Sequence, residues 1–239
     1  MTATATFAAA LIEAHKTGRR ADATQLSTPD YAEALEIQRQ VQSHLGAVGG
    51  FKVAQRPGGP PVIAPICADR TVPSGAAIAV RDQLGIELEI GFELITEPSG
   101  DLMARPQDHF RPHIVVELVD TRMTGADDDP LKKFADMQIN AGLVVGPALD
   151  GWDGSDFGTV TASLRCGETQ VIDGKVTVPD GSALESLAVF CAHVGDHCGG
   201  LKKGQIVITG SLSGLVYFPG GRDVTGVIEG FGKVTCRLD

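Results

Sequence analysis

The sequence predicts an α+β protein of one domain, with a helical portion over residues 1–47 and a β-rich portion over residues 48–239. Amphipathic helical patterns occupy the first part of the chain, and short apolar runs separated by turns occupy the rest. The 239 residues include 30 glycines and 13 prolines. Frequent turns favour a sheet-rich fold, and a chain of this length can bury a sizeable core.

Two helices are predicted in the N-terminal portion. The first covers Phe7 to Lys16 and stops near Gly18. The second follows Ser27-Thr28-Pro29-Asp30, where a hydroxyl cap, a proline in the first turn and an acid near the positive dipole end mark a helix start. It runs from Tyr31 to Leu45 with an amphipathic pattern and ends before Gly49-Gly50.

Short β runs follow, separated by glycine and proline turns. A Pro/Gly loop over 56–61 comes after the first run, and a helix around 183–198 interrupts the later ones. The predicted strands cover 51–54, 84–95, 112–121, 142–149, 157–166, 169–178, 205–209, 214–218, and 223–238 in two pieces.

Composition narrows the class of protein. A net charge of −10 argues against nucleic acid and anionic membranes as partners. No stretch approaches the ~18 apolar residues of a membrane span, and the N-terminus lacks the basic region of a signal peptide. Five cysteines without disulfide-framework spacing fit a reducing compartment. We therefore expect a cytoplasmic globular protein.

Three glutamates point to a metal site. Alternate residues of a strand share a face, so Glu87 and Glu89 project together from the strand predicted over 84–95. Glu117 lies inside a second apolar run. Carboxylates crowded in a partly buried place repel each other and are costly to desolvate, and a divalent cation removes this cost. Three monodentate carboxylates leave about three positions of an octahedral Mg²⁺ or Mn²⁺ for water or substrate oxygens.

Each candidate has a structural alternative. A Glu-x-Glu pair on a strand is often a solvated sheet face, although the valines around Glu117 disfavour that for the third carboxylate. Lys52 lies in a short apolar strand, where desolvation would lower its pKa and suit it to proton transfer, or where it could be an edge residue with its head in water. Asp69 could form an ion pair in the neighbourhood of Arg70, and Arg122 could form a salt bridge at a strand end.

Two further motifs carry weaker signals. The segment Cys191–Cys198 contains two cysteines and two histidines, but on one helix the cysteines and the histidines fall on opposite faces and cannot converge on zinc. We expect core cysteines and exposed histidines there. The glycine-rich turn around Gly210 and Ser211 could expose backbone N–H groups to an anion, but it lacks the ending of a phosphate-binding loop.

Short motifs in order along most of the chain resemble the 2-keto-4-pentenoate hydratase family of the fumarylacetoacetate hydrolase superfamily. They are Glu36-Ile37-Gln38, Gly50-Phe51-Lys52-Val53, Ala68-Asp69, Ile86–Ile90, Val116–Met123, Ala135-Asp136, Asn140-Ala141-Gly142, Gly200-Leu201, Ile206–Leu212 and Val227–Gly232. The sequence departs from the family in the Pro/Gly loop after Lys52 and in Met137, which replaces an asparagine.

The resemblance implies a β-rich mixed sheet rolled around the metal, with an N-terminal helical portion. It implies Glu87, Glu89 and Glu117 as ligands of Mg²⁺ or Mn²⁺, and Lys52 with Asp69 as proton-transfer groups. Gly210 and Ser211, and with them Arg122, would hold the substrate. It also implies a homo-oligomer.

The implied reaction is the addition of water to a 2-hydroxy-2,4-dienoate, or its 2-oxo tautomer, to give a 4-hydroxy-2-oxo acid. A 2-oxo-3-enedioate decarboxylase uses the same enolate chemistry and is the main alternative. An acylpyruvase-type C–C hydrolase is less favoured, since Lys132 and Lys133 lie in a poorly matching context. A binding protein without catalytic activity on the same fold is the alternative from another class.

Overall fold

The protein is described by a computed structural model that covers residues 2–56 and 58–239, so Pro57 of the predicted Pro/Gly loop lies outside the described residues. The α-helices are α1 (Ala3–Thr17), α2 (Tyr31–Leu45), α3 (Pro106–His109), α4 (Pro130–Ala135) and α5 (Ala183–His193). The strands are β1 (Ala21–Asp22), β2 (Val48–Ala54), β3 (Val62–Cys67), β4 (Thr71–Pro73), β5 (Ala76–Ile78), β6 (Leu84–Leu94), β7 (Phe110–Val119), β8 (Met123–Thr124), β9 (Asn140–Ala148), β10 (Thr159–Cys166), β11 (Thr169–Thr177), β12 (Ile206–Ile208), β13 (Val216–Phe218), β14 (Arg222–Ile228) and β15 (Gly232–Leu238).

The two N-terminal helices are present, and the second has the predicted bounds but a different capping residue. Asp30, not a hydroxyl residue, caps α2: its carboxylate accepts the N–H of Glu33 at 2.8 Å, and the Glu33 carboxylate accepts the N–H of Asp30 at 2.9 Å. This reciprocal arrangement is a capping box. Thr28 lies too far before the first turn to act as the cap, and its hydroxyl bonds Asp129 instead.

Two large sheets form most of the β-rich portion, and β8 forms a separate two-stranded parallel pair with β1. The larger has the strand order β3-β2-β12-β6-β7-β9-β4, with β13 also paired to β6, and the smaller has the order β11-β10-β14-β15-β5. The larger sheet is mixed, because β12 runs parallel to β2 and β4 runs parallel to β9 while the other pairs are antiparallel. The result is the α+β architecture with a curled mixed sheet that the sequence predicts.

The main core lies on one face of β6. Ile86, Leu88, Ile90 and Phe92 are at most 1% exposed and pack with buried residues of β10, β14, β15 and α5. Leu88 lies so close to Gly226 that a Cβ at Gly226 would be 2.6 Å from it, which brings the two sheets into close contact. Because strand residues alternate, the odd-numbered residues of β6 face the other way. This opposite face carries the candidate site.

Several elements differ from the predicted secondary structure, among them β3 and the helix predicted over 183–198. β3 was not predicted, because Pro65 interrupts a short apolar run that does not alternate; all six residues of β3 are nonetheless buried. The helix predicted over 183–198 ends at His193, before Gly195, which adopts a positive φ of 49°. No described helix is long and apolar enough to cross a membrane.

Candidate metal centre

The three predicted carboxylates converge. β6 and β7 pair antiparallel with Glu87 directly opposite Glu117, and Glu89 lies two residues further along β6 on the same face. Each of the three side chains offers a carboxylate oxygen that lies within 4.8 Å of the others. Glu117 and Glu89 are buried, and Glu87 is half-buried at the open side of the cluster. It is the one group of three or more potential ligands found among the described residues.

The cluster carries an electrostatic cost in the absence of a cation. Burial, followed by the negative charges of Glu117 and Glu87, raises the pKa of Glu89 well above its ordinary value. Burial and Glu117 also raise the pKa of Glu87, against partial opposition from Lys52 and the Ser211 hydroxyl. A shift of this sign means that the folded protein disfavours the ionised carboxylates. A bound divalent cation would reverse that preference.

Lys52 lies inside the cluster. Its Nζ donates to both oxygens of Glu117, at 2.6 and 2.8 Å, and β2 lies between β3 and β12, so Lys52 is not an edge residue. Burial pulls the pKa of Lys52 down, but the charges of Glu117, Glu89 and Glu87 act in the opposite direction and the net shift is upward. The expectation of a lowered pKa is therefore wrong, because the charges of three carboxylates outweigh the effect of burial on one ammonium group.

Asn140 supports the cluster from β9 and was not predicted as a site residue. Its Nδ2 donates to Oε1 of Glu117 at 2.8 Å, and its main-chain oxygen accepts from Arg122 at 2.6 Å. The sequence offered one signal, since Asn140 begins a motif that resembles the hydratase family. The amide therefore fixes the same carboxylate oxygen that Lys52 contacts.

A strained turn precedes Asn140. Met137, Gln138 and Ile139 have positive φ angles of 53°, 50° and 56°. Left-handed backbone costs roughly 1–2 kcal/mol per residue other than glycine, and such strain concentrates at functional sites. The turn brings the carbonyl of Gln138 to 3.5 Å from Nζ of Lys52.

The Gly210–Ser211 turn also lies at the cluster. The N–H of Gly210 donates to Oε2 of Glu89 at 2.7 Å. Gly210 has a φ of +110°, and a Cβ there would lie 2.8 Å from Pro179, so glycine is required on both grounds. The N–H that was expected to hold a substrate carboxylate instead orients a metal-ligand candidate. Ser211 remains the substrate-binding candidate of this turn.

The structure assigns Arg122 a different task from the predicted substrate contact. Its side chain is buried, and its Nε donates to the buried carboxylate of Asp136 at 2.6 Å. The two terminal nitrogens donate to main-chain oxygens of Asp120, Asn140 and Asp136. All three nitrogens therefore hold the loop between β7 and β9 together. Asp120 pairs with Arg20 at 2.7 Å instead.

Asp69 is not joined to the cluster by any described contact. It lies exposed in the turn Ala68–Arg70 that follows β3. No ion pair among the described residues links it to Arg70 or to Lys52. Its part in proton transfer therefore stays a prediction.

The Cys191–Cys198 segment forms no metal cluster among the described residues. His193 is exposed as expected, but the expectation of an exposed His197 is wrong. Because the helix ends at His193, the chain turns back and buries His197, whose Nε2 lies 2.9 Å from Oε1 of Gln38.

Comparisons with solved structures identify the fold. The 4-oxalocrotonate decarboxylase from Pseudomonas putida G7, complexed with magnesium and adipate, superposes with a TM-score of 0.79 at 18% identity, over 99% of this chain and 97% of that chain. The fumarylpyruvate hydrolase from Pseudomonas aeruginosa, in complex with Mn²⁺ and pyruvate, has a TM-score of 0.59 at 16% identity, over 79% and 88%. The 2-hydroxyhepta-2,4-diene-1,7-dioate isomerase from Mycobacterium marinum has a TM-score of 0.57 at 14% identity, over 80% and 75%.

No protein-family model and no curated protein sequence matches the chain. At these identities the likeness concerns the fold. The protein therefore has the fumarylacetoacetate hydrolase fold, which confirms the fold class implied by the sequence resemblance.

Proposed function

We propose that this protein is a metal-dependent lyase that adds water to a 2-hydroxy-2,4-dienoate, or its 2-oxo tautomer, to give a 4-hydroxy-2-oxo acid. The observation that carries the proposal is the convergence of Glu87, Glu89 and Glu117 in a partly buried cluster. A single ammonium group, Lys52, faces three carboxylates, so a divalent cation balances the remaining charge. Mg²⁺ or Mn²⁺ suits an all-oxygen donor set, and the magnesium and manganese in two structures of this fold support that choice.

The chain's own residues would position the substrate and move protons. When bound, the cation supplies Lewis-acid stabilisation of negative charge that develops on substrate oxygens. Ser211 would bind the substrate carboxylate. Lys52, with Asp69 as the second candidate, would transfer a proton during ketonisation, before water adds to the conjugated double bond.

A cavity of about 530 Å³ lies near β13 and is lined by none of the cluster residues. Tyr217 lines it and lies opposite Gly85 in the β13–β6 pair, on the face that carries Glu87. Three aspartates also line it, and its one arginine, Arg20, already pairs with two of them. A substrate whose far end extended from the cluster into this cavity would place a second carboxylate among these aspartates, and the resulting repulsion would favour a hydratase over an enedioate decarboxylase.

The decarboxylase is the second candidate. It is favoured by the TM-score of 0.79 with a 4-oxalocrotonate decarboxylase, one of whose structures contains the dicarboxylate adipate. A C–C hydrolase of the acylpyruvase type is less supported, because Nζ of Lys132 donates to the carbonyl of Ala23 at 2.9 Å, away from the cluster.

Turnover tests the proposed reaction. Purified protein with Mg²⁺ is given 2-hydroxypenta-2,4-dienoate and its dicarboxylate homologue, and the products are identified. A 4-hydroxy-2-oxo acid supports the hydratase, CO₂ release supports the decarboxylase, and two carboxylic acids support a C–C hydrolase. No turnover across a panel of 2-oxo acids would favour a binding protein.

Calorimetry tests the metal site separately. Glu89→Gln removes a charge from the cluster and should weaken Mg²⁺ binding, whereas Glu93→Gln should not. Glu93 is a matched control, because it lies on the same strand and face but contacts Arg111 and His113. Equal Mg²⁺ affinity in the wild type and Glu89→Gln would contradict the assigned site. A homo-oligomeric state, the single domain and a cytoplasmic location stay predictions.

A further inference from the structure

A second charged site lies near the C-terminal turn of α1, where a small cavity of about 50 Å³ is enclosed by basic side chains. The cavity is separate from the glutamate cluster, none of whose residues lines it. Its charged and titratable lining residues are His15, Arg20, Arg70, Arg81, Arg122 and Asp120. Such a concentration of cations is unexpected in a chain with a net charge of −10.

Two of the arginines have their charge compensated within the protein. Arg20 donates to Asp82 and to Asp120, each at 2.7 Å, and Arg122 donates to Asp136 at 2.6 Å. Arg70 and Arg81 differ, since no ion pair with a carboxylate is formed by either among residues 2–56 and 58–239. Arg70, like Arg81, is exposed over part of its surface, yet partial burial, followed by the positive charge of Arg122, lowers its pKa, and Arg81 adds to this effect. The cavity therefore retains uncompensated positive charge.

His15 provides an independent observation. Both of its ring nitrogens are buried, and neither has a hydrogen-bond partner among the described residues. Burial, then the charges of Arg122 and Arg70, lower its pKa to about 3, so the ring is neutral at pH 7. A neutral imidazole has one N–H to donate. A buried polar group without a partner is unusual in a folded protein and calls for a ligand or a water.

We propose that this cavity binds a small oxyanion, a phosphate group or one of similar size. The guanidinium groups of Arg70 and Arg81 would supply charge and paired N–H donors, the geometry that suits phosphate oxygens. The His15 ring would supply one further donor. The volume accommodates the oxyanion group alone, so the source is either free phosphate or the end group of a phosphomonoester that extends outward past Arg81, which is exposed.

Isothermal titration calorimetry with sodium phosphate tests this site in the full-length protein, with EDTA present so that phosphate cannot bind through a metal. The variants are Arg70→Gln/Arg81→Gln and the control Arg105→Gln, which removes an exposed arginine paired with Asp108 elsewhere on the surface. We expect saturable binding to the wild type and to the control, and at least a tenfold loss of affinity in the double variant. Glycerol 3-phosphate is titrated in parallel to distinguish a phosphomonoester from free phosphate as the ligand. Saturable binding of either ligand supports the site.

Thermal unfolding supplies a second measurement. Phosphate should raise the Tm of the wild type more than sodium chloride of equal ionic strength does. Without phosphate, the double variant should be at least as stable as the wild type, because it relieves repulsion among the arginines. If the double variant does not fold, Arg81→Gln alone is used, since Arg81 is exposed. Absence of saturable binding of both phosphate and glycerol 3-phosphate, or equal affinity in all variants, would overturn the proposal, and so would an equal effect of chloride on the Tm.

Discussion

Nζ of Lys52 lies 2.6 and 2.8 Å from the two carboxylate oxygens of Glu117, so the lysine and a metal ion would compete for the same ligand. The two residues are 65 positions apart in the chain. They meet because β12 joins β2 to β6, and β6 in turn pairs with β7. The same contact makes Lys52 a proton-transfer candidate and a determinant of metal affinity.

Lys52→Met should lower kcat by ~10²–10⁴, the usual contribution of a general acid or base. It should also tighten Mg²⁺ binding, because Glu117 loses its competing cation. Steady-state kinetics and calorimetry measure the two effects, with Lys175→Met, at an exposed position on β11, as the control. An unchanged kcat would remove Lys52 from the mechanism, and unchanged Mg²⁺ affinity would show that the ammonium group does not compete.

Asn140→Ala should weaken Mg²⁺ binding by about 10–100-fold, the range typical of residues that orient a metal ligand. The physical reason is that Oε1 of Glu117 loses the amide donor that positions it. Gln42→Ala is a suitable control, because Gln42 is also a buried amide but donates to the carbonyls of Gly46 and Ala47. Calorimetry should show weaker Mg²⁺ binding for Asn140→Ala than for Gln42→Ala. Similar Mg²⁺ affinities in the two variants would mean that Asn140 does not position the carboxylate.

Arg122→Gln should reduce the free energy of unfolding by about 3–5 kcal/mol, because it leaves the buried Asp136 without its cation. Burial raises the pKa of Asp136 even with Arg122 present, so the carboxylate depends on its partner. Arg237→Gln breaks exposed ion pairs with Asp223 and Asp239, which solvent screens, and should change the free energy of unfolding far less than Arg122→Gln does. Urea unfolding measures both, and comparable losses would refute a structural role for Arg122.

His197 should make stability depend on pH between about 4 and 6.5. Burial, then the charge of Arg39, lower its pKa from 6.5 to about 4 in the folded protein. In this window the unfolded chain binds a proton that the folded protein does not, so the free energy of unfolding falls as pH falls. The full window corresponds to about 3 kcal/mol.

His197→Gln should flatten that dependence relative to the wild type, as measured by urea unfolding at several pH values. His44→Gln, at an exposed position of α2, is the control and should preserve the wild-type slope. If the free energy of unfolding depends on pH equally in the wild type and in His197→Gln, folding does not lower the pKa of the buried imidazole.

The local features of the fold followed from periodicity. The alternation in β6 predicted which face is buried and that Glu87 and Glu89 share the other, because side-chain direction on a strand depends on neighbouring residues alone. The boundaries of α2 followed from its amphipathic pattern. β3 escaped prediction because its stability comes from pairing with β2 rather than from a pattern of its own.

The sequence alone determined the class of fold, the strands that carry the carboxylates and the residues most suited to hold a metal. Tertiary structure decided which of them meet. It brought Lys52 into contact with Glu117 and paired Arg122 with Asp136. It directed the N–H of Gly210 to the carboxylate of Glu89. It also grouped Arg70, Arg81 and His15 around one cavity. The reason is that strand order and loop paths bring distant residues together, and burial and charge at those meeting points then set each group's protonation and its role.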